Sequence, residues 1–303
     1  MVYTITLNPA LDYVMHVDRL RYDDINRTTQ EELYFGGKGI NVSAILTRLG
    51  VPNRALGFVA GFTGQKLEEM LADEGIACDF HHLPNGATRI NVKIKAETEL
   101  DINANGPDVA ESEIHALLAK LDKVEAGDYV VLAGSIPQNF PDDMYERILK
   151  RLDGKGVRFV VDATGSLLTN VLKYKPFFVK PNHHELGDMF GVTTETDDEI
   201  ITYAGKLREQ GAKNVLVSRA GDGAILVDET GKVHKIGTAK GTLVNSVGCG
   251  DSMVGGFLAG YLEKADYAYA LKLGSACGSA TAFSPGLATK EEIESVLRNG
   301  FDQ

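Results

Sequence analysis

Residues 244–257 read VNSVGCGDSMVGGF, an extended segment that passes through Gly-x-Gly-Asp into an apolar, glycine-rich helix. Glycines at 248 and 250 let successive backbone N–H groups point toward one place, and the helix dipole adds about half a positive charge there. A turn of this kind binds anions and suits the charge that develops on a phosphoryl group during transfer. Gly248 and Gly250 therefore predict an anion hole at the start of the helix.

Asp251 follows this turn directly, at the predicted start of the helix. A carboxylate there can reach into the anion hole and accept a proton from a sugar hydroxyl. The alternative is that Asp251 only caps the helix, since aspartate is common at that position. The motif by itself leaves both interpretations open.

A second glycine-rich helix start lies at residues 35–43, which read FGGKGINVS. Gly37 leads into the helix, and Lys38 and Asn41 lie at its beginning. Two such helix starts in one chain indicate two ligands, one at each, whereas a single one would be equally typical of a simple tight turn.

Outward from these turns, short apolar runs alternate with helical patterns. The predicted strands are 2–7, 55–59, 129–133, 158–162, 177–180 and 214–218, and the predicted helices are 40–49, 65–74, 111–121, 142–152, 197–210 and 251–261. Alternating β and α units predict a three-layer α/β/α fold with a doubly wound, mostly parallel sheet.

Two other regions have the pattern of half-buried strands. Residues 89–95, RINVKIK, alternate strictly between apolar and polar side chains, and residues 99–103 can pair with them. We predict that segments from about 13–35 and 88–103 form a small β-sheet lid on a single domain that spans residues 1–303. No internal repeat or linker suggests a second domain.

A third motif, KPNHHEL at residues 180–186, follows a predicted buried strand. Lys180, Asn182 and Glu185 are thereby placed at the carboxyl edge of the sheet, where α/β proteins bind ligands. Asn182 and Glu185 offer the oxygen ligands that Mg²⁺ prefers, directly or through water. A helix N-terminus with a glutamate in its first turn explains the same residues equally well.

Competing sites are excluded by spacing. The chain has no GxxxxGK[ST] P-loop, no GxGxxG dinucleotide motif and no HExxH zinc motif. The first two absences argue against a P-loop enzyme and a nicotinamide-linked dehydrogenase.

Composition and charge narrow the possible partners and location. With 31 basic and 42 acidic residues the formal charge is −11, which disfavours nucleic acid and anionic membranes as partners. Three widely spaced cysteines and the lack of a signal-peptide pattern lead us to expect a cytoplasmic protein.

Taken together, these motifs resemble the ribokinase-like, PfkB-type carbohydrate kinases over essentially the whole chain. The segments that carry the resemblance are LNPALD at 7–12, GGKGIN at 36–41, LAGSIP at 132–137, KPNHHE at 180–185, SRAGDGA at 218–224 and NSVGCGDSMVGGF at 245–257. Cys249 departs from the family pattern, in which alanine is usual. A thiol at a helix N-terminus tends toward a lowered pKa, so we expect iodoacetamide to modify Cys249 and ATP to protect it.

The resemblance implies a role for each motif. Asp251 would be the catalytic base, Gly248, Cys249 and Gly250 would form the anion hole, and ATP and Mg²⁺ would be the cofactors. The implied sugar-binding residues are Asp12, Gly37, Lys38, Asn41 and Ser135, with Arg27 and Arg89 reaching from the lid to the substrate's own phosphate. The implied nucleotide-binding residues are Lys180, Asn182, Glu185, Ser218, Gly221 and Gly223, of which Asn182 and Glu185 would organise the metal.

The implied reaction is phosphorylation of fructose 1-phosphate at its C6 hydroxyl. Kinases acting on tagatose 6-phosphate or fructose 6-phosphate remain alternatives within the family, and a non-catalytic sugar-phosphate sensor is an alternative outside catalysis. Because lids with one apolar face often pack on a second subunit in this family, we also expect a homodimer.

Overall fold

Strands and helices alternate along most of the chain, as predicted. The computed structural model describes residues 1–134, 136–137 and 140–301. The strands are β1 Val2–Thr6, β2 Ala10–His16, β3 Gln30–Gly36, β4 Asn53–Ala60, β5 His81–Leu83, β6 Arg89–Lys95, β7 Glu99–Ile102, β8 Tyr129–Ala133, β9 Arg158–Asp162, β10 Phe178–Val179, β11 Asn214–Ser218, β12 Ala224–Val227 and β13 Val233–Ile236. The α-helices are α1 Lys38–Arg48, α2 Gly61–Asp73, α3 Glu111–Lys120, α4 Met144–Leu152, α5 Gly165–Thr169, α6 His183–Phe190, α7 Asp197–Glu209, α8 Cys249–Lys264, α9 Tyr267–Ala282 and α10 Lys290–Asn299.

The large sheet has the strand order β13-β12-β11-β10-β9-β8-β1-β4-β5. All neighbours from β11 to β5 pair in parallel, and only β12 and β13 add antiparallel pairs at one edge. Parallel strands connected through helices require both faces of the sheet to be covered. The predicted mostly parallel sheet is confirmed.

Helices cover both faces of this sheet. On one face, α3, α4, α6 and α7 contribute buried side chains such as Leu117, Ile148 and Leu207 to one apolar core. On the other, α1, α8 and α9 bury Ile45, Phe257 and other side chains in a second core. The two cores confirm the three-layer architecture.

The small sheet has the order β3-β2-β6-β7 and is built from the segments predicted to form the lid, so we call it the lid. Its registers place Tyr13 beside Leu33 and Val92, and Val92 beside Ile102, so the apolar side chains of four strands share one face. Tyr13, Leu33 and Ile102 are 36%, 37% and 55% exposed, so this face lies open along much of its area. The opposite face carries Asp12 and Asn91. Residues 89–95 form a strand with alternating faces as predicted, but within the single chain the apolar Ile90 is 40% exposed whereas the polar Asn91 is buried.

Several boundaries differ from the predictions. Helix α8 begins at Cys249 rather than Asp251, and α1 at Lys38 rather than Ile40, because a glycine rather than a polar side chain precedes each helix. Helices α9 and α10 and strands β12 and β13 were not predicted. No helix among the described residues has the length and apolarity needed to cross a membrane.

Candidate active site

The N-termini of α1 and α8 face each other at the carboxyl edge of the large sheet. Gly37 precedes α1 with φ 126°, and Gly248 precedes α8 with φ 79°, backbone angles that glycine adopts without strain. Asn41 in the first turn of α1 donates a hydrogen bond of 2.8 Å from Nδ2 to Oδ2 of Asp251. The two predicted ligand sites therefore form one cleft.

Asp251 is the third residue of α8 and its side chain is buried. It makes no capping hydrogen bond, because Gly248 occupies the N-cap position, so the N-cap interpretation is wrong. Burial, reinforced by the negative charge of Asp162, raises the pKa of Asp251 to about 6, against the opposing effects of Lys38, Asn41 and Lys180. A carboxylate in this setting is ionised at neutral pH and is a stronger proton acceptor than an exposed aspartate.

The three residues of the predicted anion hole line the start of α8. Gly248 has φ 79°, which is strained for other residues, and a Cβ there would lie 2.6 Å from Cδ2 of Leu287, which would have to move. A Cβ on Gly250 would lie 3.2 Å from the Lys180 ammonium nitrogen. The backbone N–H groups of the hole are therefore supplemented by a lysine.

Cys249 does not have the reactive thiol that we expected. Burial, together with the negative charge of Asp251, raises the pKa of the Cys249 thiol to about 11. Its Sγ lies 3.5 Å from the carbonyl oxygen of Asn245. The helix N-terminus lowers thiol pKa values in general, but here it is outweighed by desolvation and by a carboxylate two residues away.

We therefore expect Cys249 to resist iodoacetamide at pH 7.5, with or without ATP, because only about one thiol in a thousand or fewer is ionised at three or more pH units below its pKa. Mass spectrometry of the alkylated peptide measures this, with the partly exposed Cys78 as an internal comparison. Cys249→Ala should retain kcat within about threefold, since the hole uses backbone N–H groups. Rapid labelling of Cys249 that ATP prevents would contradict this prediction.

A buried ion-pair cluster that the motifs did not reveal lies beside Asp251. Asp162, at the end of β9, is 4% exposed. Its Oδ1 is 3.2 Å from Nζ of Lys180, and its Oδ2 is 3.5 Å from Nζ of Lys38. The predicted strand 158–162 ends in this aspartate. In α/β proteins, ligands bind at the carboxyl ends of the strands, so the argument that singled out Asn182 and Glu185 could have identified Asp162 too.

The small sheet borders the part of the cleft that the resemblance assigns to the sugar. Asp12 on β2 accepts a hydrogen bond of 2.8 Å from Nδ2 of Asn91 on β6. A Cβ on Gly36 would lie 2.9 Å from the Asp12 carboxylate oxygens, so the carboxylate reaches the turn before α1. Asp12, Gly37, Lys38 and Asn41 are thus grouped around the beginning of α1, as the resemblance implied.

Arg89 lies at the base of the lid and is half-buried. Its Nε donates to the carbonyl oxygen of Asn8 at 3.2 Å and its Nη1 to that of Ala104 at 3.3 Å. Burial lowers the pKa of the Arg89 guanidinium, and the negative charge of Asp12 opposes that effect. Arg89 therefore joins the lid to the end of β1 and keeps further donors for a ligand.

Within one chain, Arg27 lies away from Arg89, and its predicted role in binding the substrate's phosphate stays a prediction. Arg27 is exposed in the loop between β2 and β3. That loop lies at the His16 end of the hairpin, whereas Arg89 is paired with Ala10 at the other end. Six residues of strand at about 3.4 Å each separate the two ends by about 20 Å. Ser135, also predicted to bind the sugar, lies outside the described residues.

Asn182 and Glu185 form a complete capping box at the start of α6. The Glu185 N–H donates to Oδ1 of Asn182, and the Asn182 N–H donates to Oε2 of Glu185, each at 2.8 Å. The interpretation of this motif as a helix N-terminus is confirmed. The pKa of Lys38 is raised first by Asp162, against its burial, and further by Asp251 and Glu185, so the Glu185 carboxylate lies near the Lys38 ammonium group.

The predicted nucleotide-binding residues follow the neighbouring strand, β11. Ser218 ends β11, and its N–H donates to the carbonyl oxygen of Pro181 at 3.2 Å, beside Asn182. Gly221 and Gly223 belong to the next turn, where a Cβ on Gly223 would lie 2.1 Å from the carbonyl oxygen of Ile236. These residues lie along the carboxyl edge of the large sheet, farther from Asp251. No contact among the described residues joins them directly to the anion hole.

Comparison with known proteins finds close similarity over the whole chain. The sequence model of the pfkB family of carbohydrate kinases matches residues 5–294. The 1-phosphofructokinase of Bacillus subtilis is 46% identical over 297 residues, covering 98% of this chain and 97% of that protein. The D-tagatose-1-phosphate kinase of Bacillus licheniformis is 36% identical, covering 97% of this chain and 96% of that protein.

Two solved structures of phosphofructokinase-2 from Escherichia coli are similar to the whole fold. One is a complex with fructose 6-phosphate, with a TM-score of 0.90 and 26% identity, covering 98% of each chain. The other is the tetrameric inhibited form of that protein, with a TM-score of 0.90 and 27% identity over the same share of each chain.

Proposed function

The chain belongs to the pfkB family of carbohydrate kinases, and on that premise we propose that it transfers the γ-phosphoryl group of MgATP to the C6 hydroxyl of fructose 1-phosphate. The products are fructose 1,6-bisphosphate and ADP. The substrate assignment is supported by the 46% identical relative from Bacillus subtilis, which is a 1-phosphofructokinase.

The observation that carries this proposal is the hydrogen bond between Asn41 and Asp251. It joins the sugar side of the cleft, at the start of α1, to the phosphate side, at the start of α8. A non-catalytic sensor of sugar phosphates would have no need of a buried carboxylate whose pKa is raised toward neutrality. Perturbed carboxylates of this kind are typical of catalytic sites.

Asp251 acts as the general base in this mechanism. As the C6 oxygen attacks the γ-phosphorus, its proton passes to the Asp251 carboxylate and the P–O bond to ADP breaks. The backbone N–H groups at 248–250 and the Lys180 ammonium stabilise the negative charge on the transferring group. Closure of the lid over the sugar would exclude water, the competing acceptor.

Mg²⁺ would be held beside the ATP phosphates by Glu185, with Asn182 next to it. Magnesium uses one or two protein carboxylates and completes its shell with waters and phosphate oxygens. The Glu185 carboxylate fits this role, because it lies near the Lys38 ammonium group and the capping box engages only its Oε2. The ion would neutralise phosphate charge during transfer.

Arg89 would bind the phosphate that the sugar already carries, since it is the half-buried guanidinium on the sugar side. A second candidate substrate is tagatose 1-phosphate, the C4 epimer of fructose 1-phosphate, because a 36% identical relative is a kinase for it. Fructose 6-phosphate and tagatose 6-phosphate are the remaining candidates.

The proposal is tested by a coupled ADP-release assay with these four phosphosugars and unphosphorylated fructose side by side. We expect the highest kcat/KM with fructose 1-phosphate, and a value at least about 100-fold lower with fructose, because the cations of the site would be left unpaired. Preference for either 6-phosphate would refute the substrate assignment, and no ADP release with any sugar would refute the kinase activity.

We place the protein in the cytoplasm and expect a homodimer that packs lid against lid. The open apolar lid face supports this arrangement, because a solvated face of that size is unfavourable for a single copy. The β2–β3 loop displays Tyr22 and Ile25, which are 89% and 77% exposed. Antiparallel packing of two lids would cover the apolar lid face and the β2–β3 loop of each copy. It would also bring Arg27 of the second copy close to Arg89 of the first.

Val92→Asp should convert this dimer to a monomer, because it puts a charge at the centre of the apolar lid face. Light scattering coupled to gel filtration measures the mass of the variant. The control is Lys95→Gln on the opposite face of β6, which should remain dimeric. A monomeric wild-type protein, or an unchanged mass for Val92→Asp, would exclude the lid as the interface.

A further inference from the structure

Asp162 is buried beside the catalytic cleft, where it contacts two lysines. Its two carboxylate oxygens are divided between two lysines, Lys180 at 3.2 Å and Lys38 at 3.5 Å. These lysines come from different parts of the fold, the end of β10 and the beginning of α1. One buried carboxylate therefore sets the positions of two cations.

The two lysines differ in exposure. The Lys180 side chain is 7% exposed and its ammonium group lies against Gly250 in the anion hole. The Lys38 side chain is 50% exposed and runs alongside Gly134 at the open side of the cleft. Asp162 thus holds the Lys180 ammonium group inside the anion hole. The Lys38 ammonium group, which it also contacts, lies on the side of the cleft that is open to ligands.

The electrostatics separate the roles of the two buried aspartates. Burial by itself would raise the pKa of Asp162, but Lys180 and Lys38 hold it below its ordinary value. Asp251, by contrast, has a raised pKa. Two carboxylates whose environments push their pKa values apart have different functions. Asp162 stays charged and does not compete for the sugar proton.

We propose that Asp162 is a positioning residue that fixes the Lys180 and Lys38 ammonium groups beside Asp251, so that the transferring phosphoryl group meets both. This inference rests on the proposed phosphoryl transfer. A lysine side chain is flexible, and its ammonium group contributes most to transition-state stabilisation when it is held in place before the reaction. Without the shared carboxylate, the two ammonium groups would repel each other and move apart.

Asp162→Asn tests this role. We expect kcat at saturating substrates to fall by about 10- to 100-fold while both KM values change by less than about threefold, because the ground-state contacts to substrate remain. The acid limb of the kcat–pH profile should also move to lower pH. The charged groups that act on Asp251 are Asp162, Lys38 and Lys180, and only Asp162 among them raises its pKa.

Asp162→Glu keeps the charge and should recover part of kcat with the acid limb unmoved. The matched control is Asp188→Asn on the exposed side of α6, which should behave as wild type. Should Asp162→Asn fail to fold, Lys38→Met replaces it: kcat should again fall, and the acid limb should move to higher pH, because an ammonium that lowers the pKa of Asp251 is lost.

A change of kcat within threefold and an unmoved acid limb in Asp162→Asn would overturn the positioning role. So would a loss of activity that matches the fraction of unfolded protein, measured by thermal denaturation. These outcomes are distinct from failure of the proposed function, in which the wild-type protein itself would release no ADP with any phosphosugar.

Discussion

Replacing Asp251 with asparagine is expected to lower kcat by about 10²–10⁴ or more, because the variant cannot accept the proton of the attacking hydroxyl. Binding of ATP should change by less than about threefold, since the backbone N–H groups of the anion hole remain. Asparagine has nearly the same shape and can still accept the hydrogen bond from Asn41. Steady-state kinetics and ATP titration measure the two effects.

The stability of Asp251→Asn separates loss of the base from loss of the fold. The pKa of Asp251 is higher in the folded state than its ordinary value, so ionisation at neutral pH disfavours folding. Removing that charge should leave Tm at pH 7 unchanged or raise it. Asp73→Asn, an exposed aspartate at the end of α2, is the control for both Tm and kcat. Normal turnover in Asp251→Asn would exclude it as the base.

The pH dependence of kcat in the wild-type protein should follow the ionisation of the Asp251 carboxylate. With a pKa of about 6, the carboxylate is ionised above pH 7, and kcat should be nearly level there. Below about pH 6 the protonated form accumulates, and kcat should fall about tenfold for each pH unit. An acid limb near pH 4 instead would indicate that the Asp251 environment in the working enzyme is that of an ordinary exposed aspartate.

Lys180→Met is expected to lower kcat by about 10²–10³, the size of effect found when one stabilising donor is removed from a preorganised site. Methionine fills a similar volume in this buried place but offers no positive charge to the transferring phosphoryl group. KM for the sugar phosphate should change little, because Lys180 lies on the phosphate side of the cleft, against Gly250. Steady-state kinetics with both substrates varied measures the effects on kcat and on KM separately.

Breaking a buried ion pair also destabilises a protein, by about 3–5 kcal/mol when one partner is left charged. The double variant Lys180→Met with Asp162→Asn removes both charges of the pair, so it should fold better than Lys180→Met and remain as inactive. Lys213→Met, an exposed lysine before β11, is the matched control. Wild-type kcat in folded Lys180→Met would show that the lysine has no part in transfer.

The comparison of sequence and structure is informative at particular residues. The strands 129–133, 158–162 and 214–218 were predicted with their observed bounds, because buried parallel strands are short apolar runs with clear ends. The helices α9 and α10 were missed, although α10 begins with a complete Thr289–Glu292 capping box. That capping signal was present in the sequence and could have identified it.

Side-chain chemistry was predicted less well than backbone structure. The raised pKa of Cys249 results from burial and from Asp251, and the remoteness of Arg27 from Arg89 results from strand register. The Asp162 cluster joins residues from α1, β9 and the end of β10. Each of these depends on which distant segments lie together in space.

Local backbone chemistry was readable from the amino-acid order: glycines that permit unusual φ values before two helices, and the alternation of apolar runs that requires a layered α/β fold. The convergence of those two helix starts on one buried carboxylate came only from the folded chain. The reason is physical, because burial and the field of neighbouring charges, which set the pKa values of Asp251, Asp162 and Cys249, exist only once separate segments have packed together.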